Sequence, residues 1–144
     1  MSGRSERCFL DTNIIVYAWS DGSSEKGELA RALISQNTKQ NLAAISTQVL
    51  QEFYSVVTSK MGCDKLIAKE AMLYYARLPI VQVDLASIQQ AIDISILSQL
   101  SFWDALVIAS AEKANCKTLY SEDLNDGQMI RGITVVNPFL TNDV

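Results

Sequence analysis

The chain has 144 residues and a net charge of −4, from 12 basic and 16 acidic side chains. That length predicts one domain over residues 1–144, able to bury a core without disulfide or metal staples. An apolar content of 49% with 19% charged residues excludes a disordered chain, and the acidic balance argues against a protein that coats DNA. Histidine is absent, which removes histidine-based triads, histidine general bases and histidine-ligated zinc. Chemistry must then come from carboxylates, hydroxyls, lysines or thiols. Cys8, Cys63 and Cys116 match neither a zinc nor a disulfide pattern and read as free thiols of a reducing cytoplasm. The start, Met1–Arg7, is polar and unlike a signal peptide, and the longest apolar runs, Ile14–Trp19 and Ala105–Ala109, are too short to span a bilayer. A cytoplasmic protein without a membrane partner is expected.

In chain order, Cys8-Phe9-Leu10 predicts a buried strand, broken by the polar Asp11-Thr12-Asn13 and resuming as Ile14–Trp19 in a short helix or turn. Asp21–Ser24 reads as a loop, with Ser24 capping a helix from Glu25 to about Gln36. Leu42–Ile45 predicts a strand. Ser46 or Thr47 caps a helix reaching about Met61, with Val49, Leu50, Phe53, Val56 and Val57 as its apolar stripe and Gly62 at its exit. Asp64–Arg77 predicts a helix, Ile80–Asp84 a strand, and Ser87–Leu100 a helix with Ile88, Ala91, Ile92 and Ile96 at core spacing. Ser101 opens a helix from Phe102 to about Asn115. Thr118–Tyr120 predicts a strand, Ser121–Arg131 a polar loop, and Ile133–Val136 the last strand. Strands alternating with helices predict an α/β, three-layer fold: a central parallel sheet of four to five strands with helices on both faces.

Most acids sit where solvated acids belong, and four stand apart; for the first, between two apolar runs, an unpaired charge is costly. Asp11 follows the first strand; an Asx-type turn is the simpler account of it. Glu52 borders an apolar helix stripe, as a flanking surface glutamate also would. Asp104 opens the wholly apolar Ala105–Ala111 and stands at capping-box spacing from Ser101. Asp123 follows the strand Thr118–Tyr120 in a turn-rich loop where Glu122 and Asp126 compete for any role given to it. In an open parallel sheet, sites form beyond the carboxyl ends of the strands, which is where Asp11 and Asp123 fall. Four carboxylates at one pole call for counterions, and hard divalent cations such as magnesium accept this donor set.

These residues resemble the PIN domain family, and most of all its small single-domain ribonucleases, the VapC-type toxins. The match rests on Leu10-Asp11-Thr12-Asn13, Gln51-Glu52-Phe53, Asp104–Ala111 and Ser121-Glu122-Asp123 in that order, over nearly the whole chain. The fourth motif departs from the common form: serine stands where threonine is frequent, and the usual aromatic after the acid is missing. The resemblance implies an endoribonuclease using Mg2+ or Mn2+. Asp11, Asp104 and Asp123 would be the metal-binding acids, Glu52 the remaining catalytic acid, and Thr12, Asn13, Ser121 and Asp126 would support them. It implies hydrolysis of RNA to 5′-phosphate and 3′-hydroxyl ends, a cognate antitoxin that reaches into the acidic pocket, and a homodimer formed through helices.

Lys39, Lys60, Lys65, Lys69, Lys113 and Lys117 are candidates for a phosphate-binding rim; Lys65 and Lys69, four apart, share a helix face, as solvated lysines also would. Trp19, Trp103, Tyr54 and Tyr17 are either base-stacking or core aromatics. The competing functions are a receiver-like signalling domain phosphorylated at Asp84, an aspartyl phosphatase, and a PIN fold that binds RNA or protein without cutting. The phosphatase lacks its second acid, since Asn13 stands in that place.

Overall fold

The structure, a computed structural model, describes residues 6–20 and 24–140. The loop expected over Asp21, Gly22 and Ser23, and the polar start up to Ser5, lie outside the described residues. The elements are β1 (Cys8–Leu10), α1 (Thr12–Ser20), α2 (Glu25–Lys39), β2 (Ala43–Ser46), α3 (Thr47–Ser59), α4 (Lys65–Tyr75), β3 (Ile80–Val81), α5 (Leu85–Ser98), α6 (Phe102–Lys113), β4 (Thr118–Tyr120), β5 (Met129–Ile130) and β6 (Ile133–Val136). The helix starts are set locally, each side chain accepting from a backbone N–H of the first turn: Ser24 from Gly27, Ser46 from Val49, Asp64 from Leu66 and Ile67, and Ser101 from Asp104.

The sheet order is β3-β2-β1-β4-β6-β5, parallel except for β5 against β6. From β1 the chain steps to β2 and β3 in one direction, then returns past β1 to β4. Right-handed crossovers therefore put α1–α4 on one face and α5–α6 on the other. Strand order reverses between β1 and β4, paired Cys8↔Thr118, Phe9↔Leu119 and Leu10↔Tyr120. Phe9, Leu10, Ile45, Val49, Phe53, Ile108, Leu119 and Val135 fill the core. The whole run Ala105–Ala111 is buried, as an all-round apolar helix requires. Cys8, Cys63 and Cys116 are free, and burial pushes the Cys8 and Cys116 thiols up to about 12, leaving them unreactive. No single helix among the described residues is long and apolar enough to cross a membrane.

Three expectations are corrected. The sheet has six strands rather than four to five, because Met129–Ile130, inside the expected polar loop, pairs with β6 across Arg131 and Gly132. Both turn residues have positive φ, 54° and 79°, as tight hairpin turns demand, and an arginine there gives little warning. Asp84 does not end a strand: β3 stops at Val81, and Asp84 caps α5, which begins at Leu85 rather than Ser87. On α5 the buried residues are Ser87, Ala91 and Ile94, while Ile88, Ile92 and Ile96 face outward. Both sides of that helix are apolar, so periodicity alone could not choose between them.

Candidate active site

Asp11 leaves the carboxyl end of β1, where its amide still bonds to the Tyr120 carbonyl of β4 at 3.0 Å. It is only 5% exposed. One carboxylate oxygen accepts from the Thr12 amide at 2.8 Å and the other from the Ser121 hydroxyl at 2.8 Å. The local turn and the site residue are thus the same feature. Burial raises the Asp11 pKa to about 6 despite these hydrogen bonds, and the neighbouring charges of Asp123 and Glu52 add to the shift.

Ser121 also accepts the Asp123 amide at 3.1 Å, so one hydroxyl ties the first acid to the loop that carries the last. Asn13 completes this join: its Oδ1 accepts the Glu122 amide at 3.1 Å, and its Nδ2 donates to Asp123 Oδ2 at 3.1 Å. Glu52, on α3, accepts from the Thr12 hydroxyl at 2.6 Å and from Gln48 Nε2 at 3.1 Å. Asp104, in the first turn of α6, is half-buried, with its amide held by the Ser101 hydroxyl at 3.1 Å. Burial raises its pKa; a hydrogen bond with Ser101 opposes the rise, and the charges of Asp123 and Glu52 add to it.

Asp11 and Asp104 thus each lie within reach of the charges of Asp123 and Glu52 near the β1/β4 reversal, although the four span residues 11–123. All donors are hard oxygens. Among the described residues no group of three or more acids is already arranged to hold a metal ion. Mg2+ accepts such oxygen donors, taking one or two carboxylates, keeping several waters and leaving the remaining positions to substrate phosphate. A buried Asp11, a half-buried Asp104 and an exposed Asp123 make an oxygen donor set that fits a divalent cation, and these three are its candidate holders.

The rivals of Asp123 have other partners. The Glu122 carboxylate accepts from Tyr17 Oη at 2.8 Å and pairs with Lys26, which also lies over the Tyr17 ring. Burial pushes Glu122 up, but the hydrogen bonds from Lys26 and Tyr17 outweigh it and hold the carboxyl low. Asp126 is exposed and accepts the Asn137 amide at 2.8 Å, fastening its loop to the segment after β6. Asp84, the phospho-acceptor of the receiver reading, accepts from Ser87 and pairs with Lys113 at 3.0 Å; the Ser87 amide, then Lys113, hold it down to about 2. Lys113 ends α6, about 13 Å along the helix from Asp104, so it does not rim the acids. Lys65 and Lys69 stand exposed on α4. Trp19 packs edge-on against Phe53, whereas Trp103 is 61% exposed beside Asp104. Gln48, not among the candidates from sequence, is the polar residue this site adds; its signal is a glutamine on the apolar side of α3, four residues before Glu52.

A PIN-domain family model matches residues 8–125, and the chain belongs to that family. No curated protein matches the sequence significantly. Among solved structures, VapC20 of Mycobacterium tuberculosis, a sarcin–ricin-loop-cleaving toxin, is similar at 20% identity, with a TM-score of 0.66 over 81% of this chain and 89% of that one. A toxin–antitoxin complex from Klebsiella pneumoniae gives 18% identity and a TM-score of 0.67, covering 92% and 98%. VapBC2 from Rickettsia felis, bound to a promoter DNA fragment, gives 22% and 0.66, covering 89% and 96%. At these identities the likeness is one of fold.

Proposed function

We propose that this chain is a metal-dependent endoribonuclease that hydrolyses RNA phosphodiesters and serves as the toxin of a toxin–antitoxin pair in the cytoplasm. The observation that carries this is the convergence of Asp11, Glu52, Asp104 and Asp123, from four separate segments of a PIN fold, at the β1/β4 reversal. Asp11, Asp104 and Asp123 would hold Mg2+ or Mn2+. The ion would supply Lewis acidity, giving a nucleophilic water at neutral pH and screening the charge of the phosphate. The chain's own residues supply the rest. Ser121 and Asn13 hold Asp11 and Asp123 in one register. Glu52, bonded by Thr12 and Gln48, keeps a fixed orientation beside Asp104. Trp103, exposed next to Asp104, offers a stacking face for a base, and Lys65 and Lys69 a place for flanking phosphates.

Incubation of the purified protein with RNA is expected to give metal-dependent cleavage, stopped by a chelator, with 5′-phosphate and 3′-hydroxyl ends. Cyclic phosphate ends, or cleavage that survives chelation, would overturn the reading. Receiver-like phosphorylation has no support at Asp84, whose two oxygens are taken by the helix cap and Lys113.

The same reading includes an antitoxin and a homodimer. The antitoxin is supported by the Klebsiella and Rickettsia complexes, whose chains this one covers almost fully. The dimer is supported by the outward Ile88, Ile92 and Ile96 of α5, a stripe at four-residue spacing that water would otherwise meet. Light scattering is expected to give twice the 15.9 kDa chain mass, and Ile92→Glu with Ile96→Glu to reduce it to a single chain. A wild-type monomer at tens of micromolar would exclude the dimer.

A further inference from the structure

Gln48 is 4% exposed on the inner side of α3. Its Nε2 donates both to Glu52 Oε2 at 3.1 Å and to the Trp103 carbonyl at 3.2 Å. Both partners are acceptors only, so the amide can face them in one orientation alone. Its Oε1 is buried and has no partner among the described residues. A buried, unpaired acceptor disfavours folding, and an apolar side chain of the same shape would avoid it. Packing therefore gives no reason for glutamine at this position.

The site gives one. Thr12, which follows Asp11, donates its hydroxyl to the other Glu52 oxygen at 2.6 Å. An unbroken path then runs from Thr12 through Glu52 and Gln48 to the carbonyl of Trp103, which precedes Asp104. It joins the starts of α1 and α6 through α3, on opposite faces of the sheet. We propose that Gln48 is a positioning residue of the nuclease: it clamps the start of α6 to Glu52 and so sets where Asp104 stands relative to Asp11. This inference rests on the reading of these acids as a metal-dependent active site.

Gln48→Met keeps the volume, removes both donors and removes the unpaired acceptor. Glu52 remains bonded to Thr12 and partly solvated, so the fold has no new buried charge to carry. The expected result is a kcat for RNA cleavage lowered about tenfold to a hundredfold, as misplacement of a catalytic group by about 1 Å produces. KM should stay within about twofold and Tm should be unchanged or higher. Mn2+ affinity of the RNA-free protein, read by calorimetry, should weaken several-fold. Full kcat and unchanged Mn2+ affinity in the variant, with an active wild type, would overturn the positioning role and leave the nuclease standing. A lowered Tm with kcat and KM both impaired would overturn it in favour of a structural role. A wild type that neither binds Mn2+ nor cuts RNA would remove both.

Discussion

Asp104→Asn is expected to lower RNA cleavage by about 10²-fold or more while leaving the protein folded. The substitution removes a charge and keeps the shape. The amide of residue 104 bonds to the Ser101 hydroxyl, and asparagine keeps that bond and the first turn of α6. The lost attraction to the helix dipole, worth about 0.3–1 kcal/mol, is offset by relief from Asp123 and Glu52, whose charges already raise the Asp104 pKa. Stability should therefore change by no more than about 1 kcal/mol. What disappears is one anionic oxygen pair among the three candidate cation-holding acids, and loss of one transition-state charge contact is worth about 3–4 kcal/mol of barrier. Single-turnover cleavage of a labelled RNA, beside thermal melts of both proteins, measures the two effects separately. Equal cleavage by wild type and variant would trace the activity to a contaminating nuclease.

Asp11→Asn is expected to stabilise the metal-free protein near neutral pH and to abolish activity. The usual Asp pKa is 3.8 and burial raises it to about 6 in the fold. The folded state then binds more protons than the unfolded chain between these values. As pH rises through that window the carboxylate therefore costs stability, and the cost is complete above about pH 6. A shift of about two units corresponds to on the order of 3 kcal/mol, an upper limit for what asparagine recovers. Asparagine's carbonyl can still accept the Thr12 amide, and its amide can turn to Ser121. Denaturant melts at pH 7.5 should show the variant more stable, with the difference vanishing below about pH 4. Mg2+ or Mn2+ should raise the wild-type Tm more than the variant's. A variant less stable than wild type at pH 7.5 without metal would mean that the Asp11 charge is already compensated inside the fold.

These two variants separate what Asp11 and Asp104 do. Asp11 is nearly sealed off, and its charge is held against the interest of the fold. Asp104 is half-exposed at a helix start, where an acid is ordinarily welcome. A strongly pH-dependent stability gain is therefore expected at Asp11, and a loss of activity with little change in stability at Asp104.

Much of this was already present in the order of residues along the chain. The caps at Ser24, Ser46, Asp64 and Ser101 follow from bonds that reach only two or three residues ahead, so local sequence suffices to place them. The buried run Ala105–Ala111 follows from the absence of any polar side. Asp11 is conspicuous in the sequence because a carboxylate between two apolar runs demands compensation. The tertiary structure decided the rest. It chose Ser87, Ala91 and Ile94 as the inner face of α5, because the packing of α5 on α6 selects between two apolar sides. It gave Glu122 to Tyr17 and Lys26, and Asp123 to Asn13, through contacts about 100 residues apart in sequence that only the β1/β4 pairing creates. It placed Gln48 between Glu52 and Trp103; the four-residue step to Glu52 is local, but the reach from α3 to the Trp103 carbonyl 55 residues on has no signal in sequence spacing. Short-range hydrogen bonds and solvation preferences are written in neighbouring residues; which distant groups meet depends on strand order and crossover handedness, and these are properties of the folded chain.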